Sequence, residues 1–387
     1  MNTKTDKLFY LEGIRGVAAF IVLVAHLKNI FDYDFQTHTL LYFTDLTHSS
    51  FLGRLINSFI VVVLDGKLAV QIFWFMSGYV ISIKLFGRNG QNYLKTAFLK
   101  RYFRLAIPVL GSVLLAYGLL KMGLMYNLEL AQVLGKRSPI LANFYNFEPD
   151  LLIALRSGLW DAFFDFNDQD LYNTNLWTMA PELFGSFFCF ILFAVFKTRQ
   201  YRYFFYLGFI LIAIFLEYHW LVTFILGYML CDIDHTSNRL KKILDFISKN
   251  IFSKWYYCIA VLLLIIIING FWLRFYSAYA KIFVSAVFVW MVMNSGSLRE
   301  FFSQKILVWL GKISFSLYLL HFPILYSLSC YLYIILGLPH VYSAWISSLI
   351  SILFILGAAV LYTRFIDTPA TRFSGKIARA LMKPLNL

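Results

Sequence analysis

Arg15 and His26 stand eleven residues apart in LEGIRGVAAFIVLVAHLK, residues 11–28, a stretch apolar enough to enter a membrane. At ~100° per residue they share nearly one helix face, roughly 16 Å apart along the axis. Glu12 lies one turn from Arg15 on the same side. Ionisable groups in a spanning helix are costly unless they face a protein interior or a water-filled cavity. An imidazole titrates near neutrality, so His26 can take a proton from a hydroxyl nucleophile. The bland reading is an interfacial Glu12–Arg15 ion pair with a packed core histidine. Three ionisable groups on one face favour a site.

Four further stretches carry candidate chemistry. FWFMSGYVIS, residues 73–82, places Ser77-Gly78 inside an apolar run; a small-residue packing notch is the rival reading. In KRYFR, Arg101 and Arg104 are one helical turn apart. Their planar forks suit phosphate oxygens, while the bland alternative is a topology anchor. NLWTMAPE, residues 175–182, brings Trp177, suited to a membrane interface, and Glu182, in the first turn of an apolar helix. That carboxylate could orient a substrate or a partner such as His26. Ser314, Tyr318 and His321 follow the i, i+4, i+7 spacing of one helix face, with Pro323 expected to kink the helix; a satisfied structural network is the rival.

The elements that must position these residues follow from composition. The chain has 387 residues, 60% of them hydrophobic and 19% aromatic, with mean hydropathy +0.70. A soluble domain would expose too much apolar surface, so an integral membrane protein is expected. The apolar runs are continuous, which favours helices over a barrel. An all-α integral membrane protein of about ten transmembrane helices is predicted, near 11–30, 58–83, 104–124, 178–196, 202–217, 219–232, 254–270, 277–295, 305–334 and 342–365. Glu217–Trp220 interrupts one long run, making the fifth and sixth spans the weakest. With ten spans the basic clusters fall on one side, predicting that both termini are cytoplasmic and that loop 125–177 is external. The net charge of +14 therefore reads as topology, with no nucleic acid implied. A single domain over 1–387 is expected, with a retained first span, a short cytoplasmic tail at 367–387 and no appended soluble domain. Cys189, Cys231, Cys258 and Cys330 read as small core residues, and no metal site is expected.

Together the motifs resemble the acyltransferase-3 family of membrane acyltransferases. LEGIRGVAAFIVLVAHL is similar to that family's opening, an Arg, ten residues and a His. FWFMSGYVIS, KRYFR, NLWTMAPELFGS, ISFSLYLLHFPI and TRFIDTPATRF resemble its later motifs in the expected order. Gln71 stands where many relatives carry an acidic residue, and Pro181 before Glu182 is unusual. The resemblance implies transfer of an acyl group, usually acetyl, from cytoplasmic acyl-coenzyme A. The acceptor would be a hydroxyl of an envelope carbohydrate or exported small molecule. It also implies a multi-pass protein of a bacterial inner (plasma) membrane, in contact with membrane lipid and free to use a separate periplasmic acyl-transfer partner. On this reading Arg15, His26 and Glu182 are catalytic and Arg101 and Arg104 bind the donor. Glu12, Ser77, Trp177, Ser314, Tyr318 and His321 support these or contact substrate. The rival is a proton-coupled secondary transporter or lipid-linked-sugar flippase, which intramembrane Arg, Glu and His would also serve. Repeated halves typical of that class are not visible.

Overall fold

The continuous apolar runs can satisfy their backbone polar groups only within themselves, and they form long helices. The computed structural model describes residues 8–31, 33–34, 39–40, 63–135, 139–167, 171–236, 239–251, 256 and 278–382. The helices used below are α1 (Phe9–Phe31), α2 (Gly66–Phe86), α3 (Gly90–Lys121), α4 (Met179–Phe196), α5 (Arg202–Phe215), α6 (His219–His235) and α7 (Arg239–Ile251). They continue as α8 (Ala278–Asn294), α9 (Gly296–Phe302), α10 (Lys305–Ile324), α11 (Cys330–Leu336), α12 (His340–Tyr362) and α13 (Thr368–Met382). Tyr33–Asp34 and Thr39–Leu40 add one short antiparallel pair.

Among the described residues, six helices are long and apolar enough to cross a membrane: Phe9–Phe31, Gly66–Phe86, Gly90–Lys121, Thr174–Phe196, Lys305–Leu336 and Tyr342–Leu381. A seventh arises if α8 and α9, bent by 99°, form one span. Ten were predicted. The expected spans at 202–217 and 219–232 are helices of 14 and 17 residues, too short for that count. A turn with Glu217 at φ 59° separates them. They pack antiparallel, with Arg202 on Asp232 and Ala213 beside Val222. The span expected at 254–270 lies outside the described residues, apart from Tyr256.

Boundaries moved for physical reasons. α2 begins at Gly66, where the Asp65 side chain caps it by accepting from the Leu68 N–H at 3.0 Å. α3 begins at Gly90, earlier than expected, because its polar first half packs on α4 through Tyr93, Phe98 and Arg101. Pro323 produces no break. α10 runs through it into a π-helical turn at Leu325–Ser329 that leads on to α11. Another π turn, Thr363–Asp367, joins α12 to α13, so residues 368–382 of the expected tail form a helix packed on α3. Loop 125–177 is likewise not a free excursion. Residues 151–164 run along α3 from Gly158, which abuts Leu110, to Phe163 and Phe164 beside Tyr102.

The site depends on one helix pair. α1 and α10 run parallel in close contact: a side chain on Gly16 would strike Leu307, Leu310 and Gly311, and one on Gly311 would strike the Glu12 backbone. Ten residues further along each helix His26 meets His321. Asp65 and Lys281 form an ion pair at 2.7 Å, putting the starts of α2 and α8 at the same end of the bundle.

Gly16→Leu should therefore force α1 from α10 at a backbone-to-backbone contact. Overpacking typically costs ~1–3 kcal/mol. A lower melting temperature of the purified protein in detergent is the expected outcome, and an unchanged one would show that the contact is not tight.

Candidate functional site

A cavity lies where α1, α2, α3, α4 and α10 converge, with about 100 Å³ of free volume. Arg15, Ser77, Arg101, Arg104, Thr178, Glu182, Ser314 and Tyr318 supply its polar lining, and Phe73, Trp74 and Phe315 part of its apolar wall. Thus most of the candidate residues meet in one place although they come from five helices.

Its cations are held by acids. Arg101 donates to a Glu182 oxygen, and its Nε donates to Ser186 at 2.8 Å. Ser77 donates to the same carboxylate at 2.7 Å. Glu182 therefore orients Arg101 and has no hydrogen bond to His26. Arg104 pairs with Asp367 and lies over the Phe315 ring, 5.2 Å from its centroid. Arg15 and Glu12 are 3.7 Å apart and only half-buried, a looser pair. The three arginines leave donors free of these bonds, and five N–H groups per guanidinium allow it. Trp177 packs edge-on against Trp74 at 5.6 Å and is partly exposed. The Ser314 hydroxyl is buried in the wall without a partner.

His26 lies beyond this lining and is linked to it by hydrogen bonds. Tyr318 donates to the Asn175 carbonyl at 2.9 Å, and the Thr178 hydroxyl lies 2.9 Å from the Tyr318 hydroxyl. The Asn175 side-chain amide reaches His321 Nε2 at 3.1 Å, and His321 Nε2 is 3.3 Å from His26 Nδ1. A carbonyl can only accept, so contacts to Val22 O at 2.9 Å and Leu317 O at 3.0 Å place a proton on Nδ1 of both rings. His26 Nε2 then carries the lone pair in the neutral ring, and it has no partner among the described residues. Phe322 packs edge-on against His26 at 5.6 Å, with Phe144 and Tyr145 of the long loop behind it. Burial pushes the Tyr145 phenol well above its ordinary pKa, so this cover stays uncharged.

Sequence reasoning did not single out Asn175, Thr178, Ser186 or Asp367. Asn175 and Thr178 fall in the NLWTMAPE motif, and Asp367 is the acid of TRFIDTPATRF. An acid closing an apolar span was a usable signal, since it needs a cation. Gln71 is buried and accepts from Thr223 at 2.5 Å, a neutral bond between α2 and α6. Cys189, Cys231 and Cys330 are buried and free, and Cys258 lies outside the described residues. No group of three or more His, Cys, Asp or Glu among the described residues could hold a metal ion.

The Arg101–Glu182 pair is largely enclosed, so removing one partner strands a charge. Glu182→Gln or Arg101→Gln alone should destabilise the fold by up to ~3–5 kcal/mol. The double variant should recover part of that loss. A double-mutant cycle on thermal stability measures the coupling, and additive losses would show that the pair is not coupled.

Comparison of the sequence with curated proteins and of the fold with solved structures gives no match. The sequence matches a family described as an acyltransferase domain over residues 8–364. That span includes five of the six motifs whole and the first two residues, Thr363 and Arg364, of the sixth. Its apolar helices and this match support a multi-pass membrane protein and a transferase of acyl groups. The chain belongs to the acyltransferase-3 family.

Proposed function

We propose that the chain is an O-acyltransferase that moves an acetyl group from cytoplasmic acetyl-coenzyme A to a hydroxyl of an envelope carbohydrate or exported small molecule. The carrying observation is the hydrogen-bonded path from an arginine-lined cavity to a histidine with a free ring nitrogen. On this proposal both termini are cytoplasmic and the membrane is a bacterial inner membrane. The acceptor approaches from the opposite face, alone or through a separate periplasmic partner.

The chemistry follows from the residues. Arg15, Arg101 and Arg104 offer charged donors to the phosphates of the coenzyme, with Glu182 and Asp367 holding two of the forks in place. His26 takes the acceptor's hydroxyl proton on Nε2 as the hydroxyl oxygen bonds to the acyl carbon. The carbon–sulfur bond breaks, and the proton leaves with the coenzyme thiol. A second course, in which His26 Nε2 carries the acyl group between two transfers, uses the same lone pair. Either way the acyl group crosses the membrane while the coenzyme does not.

Two measurements test this. The purified protein should release thiol from acetyl-coenzyme A when given envelope glycan, and His26→Ala at equal folded yield should lose ~10²–10⁴-fold in rate. Near-wild-type transfer by His26→Ala would remove the catalytic assignment. Acetyl-pantetheine, which lacks the coenzyme's 3′-phosphate and pyrophosphate, should be at least tenfold poorer in kcat/KM, since each hydrogen bond to a charged group is worth ~1.5–3 kcal/mol. Equal kcat/KM for the two would show that Arg15, Arg101 and Arg104 do not hold the donor's phosphates.

A further inference from the structure

Beside the base, a second imidazole and an amide complete the path to the cavity, and the steps above give them no role in the proton transfer. His321 is fully buried, its Nδ1–H donates to Leu317 O at 3.0 Å, and its Nε2 faces both the Asn175 amide at 3.1 Å and His26 Nδ1 at 3.3 Å. The two rings are 5.0 Å apart and tilted by 52°, so they meet edge to edge and not as a stack. Burying two imidazoles in contact is costly for a packing role that Leu or Phe would serve.

We infer that His321 and Asn175 are positioning residues for His26, in a relay in which the Leu317 carbonyl and the Asn175 amide together hold one tautomer of His321 and His321 accepts from the Nδ1–H of His26. The inference rests on the proposed acyl transfer through His26. The logic is that of orienting groups behind any catalytic histidine: the far nitrogen's proton is held so that the near nitrogen presents its lone pair. The Leu317 carbonyl fixes the His321 proton on Nδ1. The Asn175 NH₂ can only donate, so it requires a lone pair on His321 Nε2. The one lone pair of that nitrogen is shared between the Asn175 N–H and the His26 Nδ1–H, the latter also bonded to Val22 O. When His26 receives the acceptor's proton on Nε2, its Nδ1–H already points at two acceptors, and the ring need not turn. A neutral acceptor suits this site, because a carboxylate there would need a compensating cation in an apolar surround.

The relay makes a prediction that packing cannot. Asp has almost the shape of Asn, so Asn175→Asp leaves the space filled, whereas Asn175→Ala opens a gap. In the relay, however, a carboxylate facing His321 Nε2 draws the His321 proton to that nitrogen and removes the acceptor from His26. Ala merely leaves the lone pair in place. The purified full chain should therefore show Asn175→Asp losing about tenfold or more in kcat, the equivalent of one hydrogen bond to a charged group. Donor KM should stay unchanged, and Asn175→Ala should lose less. His321→Gln, whose amide oxygen can accept from His26, should retain more kcat than His321→Phe at equal folded yield. If Asn175→Asp matches wild type, or if Ala is the worse of the two, the relay is wrong. Wild-type transfer by His26→Ala would instead remove the proposed function itself, so the two failures are distinguishable. Where a variant folds poorly, the ratio of kcat between the two His321 variants per folded molecule still decides.

Discussion

Close parallel packing of α1 on α10 is the constraint on which the rest depends. Two helices approach this tightly only where one or both lack a side chain, and Gly16 and Gly311 meet that need. The contact sets a register, and because both helices rise equally per residue the register persists. Ten residues on, it brings His26 against His321. A slip of one turn, about 5.4 Å, would part the two imidazoles. The long polar path from the cavity to His26 is thus a consequence of two glycines placed at the other end of the pair.

Electrostatics shape the remainder. Arg101 and Arg104 would be expensive inside the bundle alone, and the fold answers each with an acid from a distant part of the chain, Glu182 and Asp367. Those ion pairs tie α3 to α4 and to the α12–α13 junction, so the groups that line the cavity also hold its walls. Arg15 is treated differently: it is half-exposed and its Glu12 partner is 3.7 Å away. A weakly engaged cation at the lining is more available to an incoming anion than one held by a direct hydrogen bond. The same frame explains why the long loop is folded back on the bundle. Phe144 and Tyr145 cover Phe322, which covers His26, and residues 151–164 pack on α3.

Much of this was legible from residues alone. The apolar runs identified the helices, because only a helix satisfies its own backbone in lipid. Arg15, Arg101, Glu182, Ser314 and Tyr318 stood out because charged and polar groups inside such runs need a reason, and all line one cavity. Tertiary structure decided the partners. Periodicity places Glu182 at a helix start but cannot say that a carboxylate meets Arg101 and Ser77, which depends on how α4 lies against α2 and α3. It was also packing that put His26 outside the cavity lining and gave it His321 as neighbour. Hydropathy measures composition and does not see where a helix ends, whereas a turn at Glu217 and a sharp bend after Asn294 set helix length. A sequence specifies which groups cannot face lipid. Which of them face each other is a property of helix register and crossing, set by contacts between residues far apart in the chain.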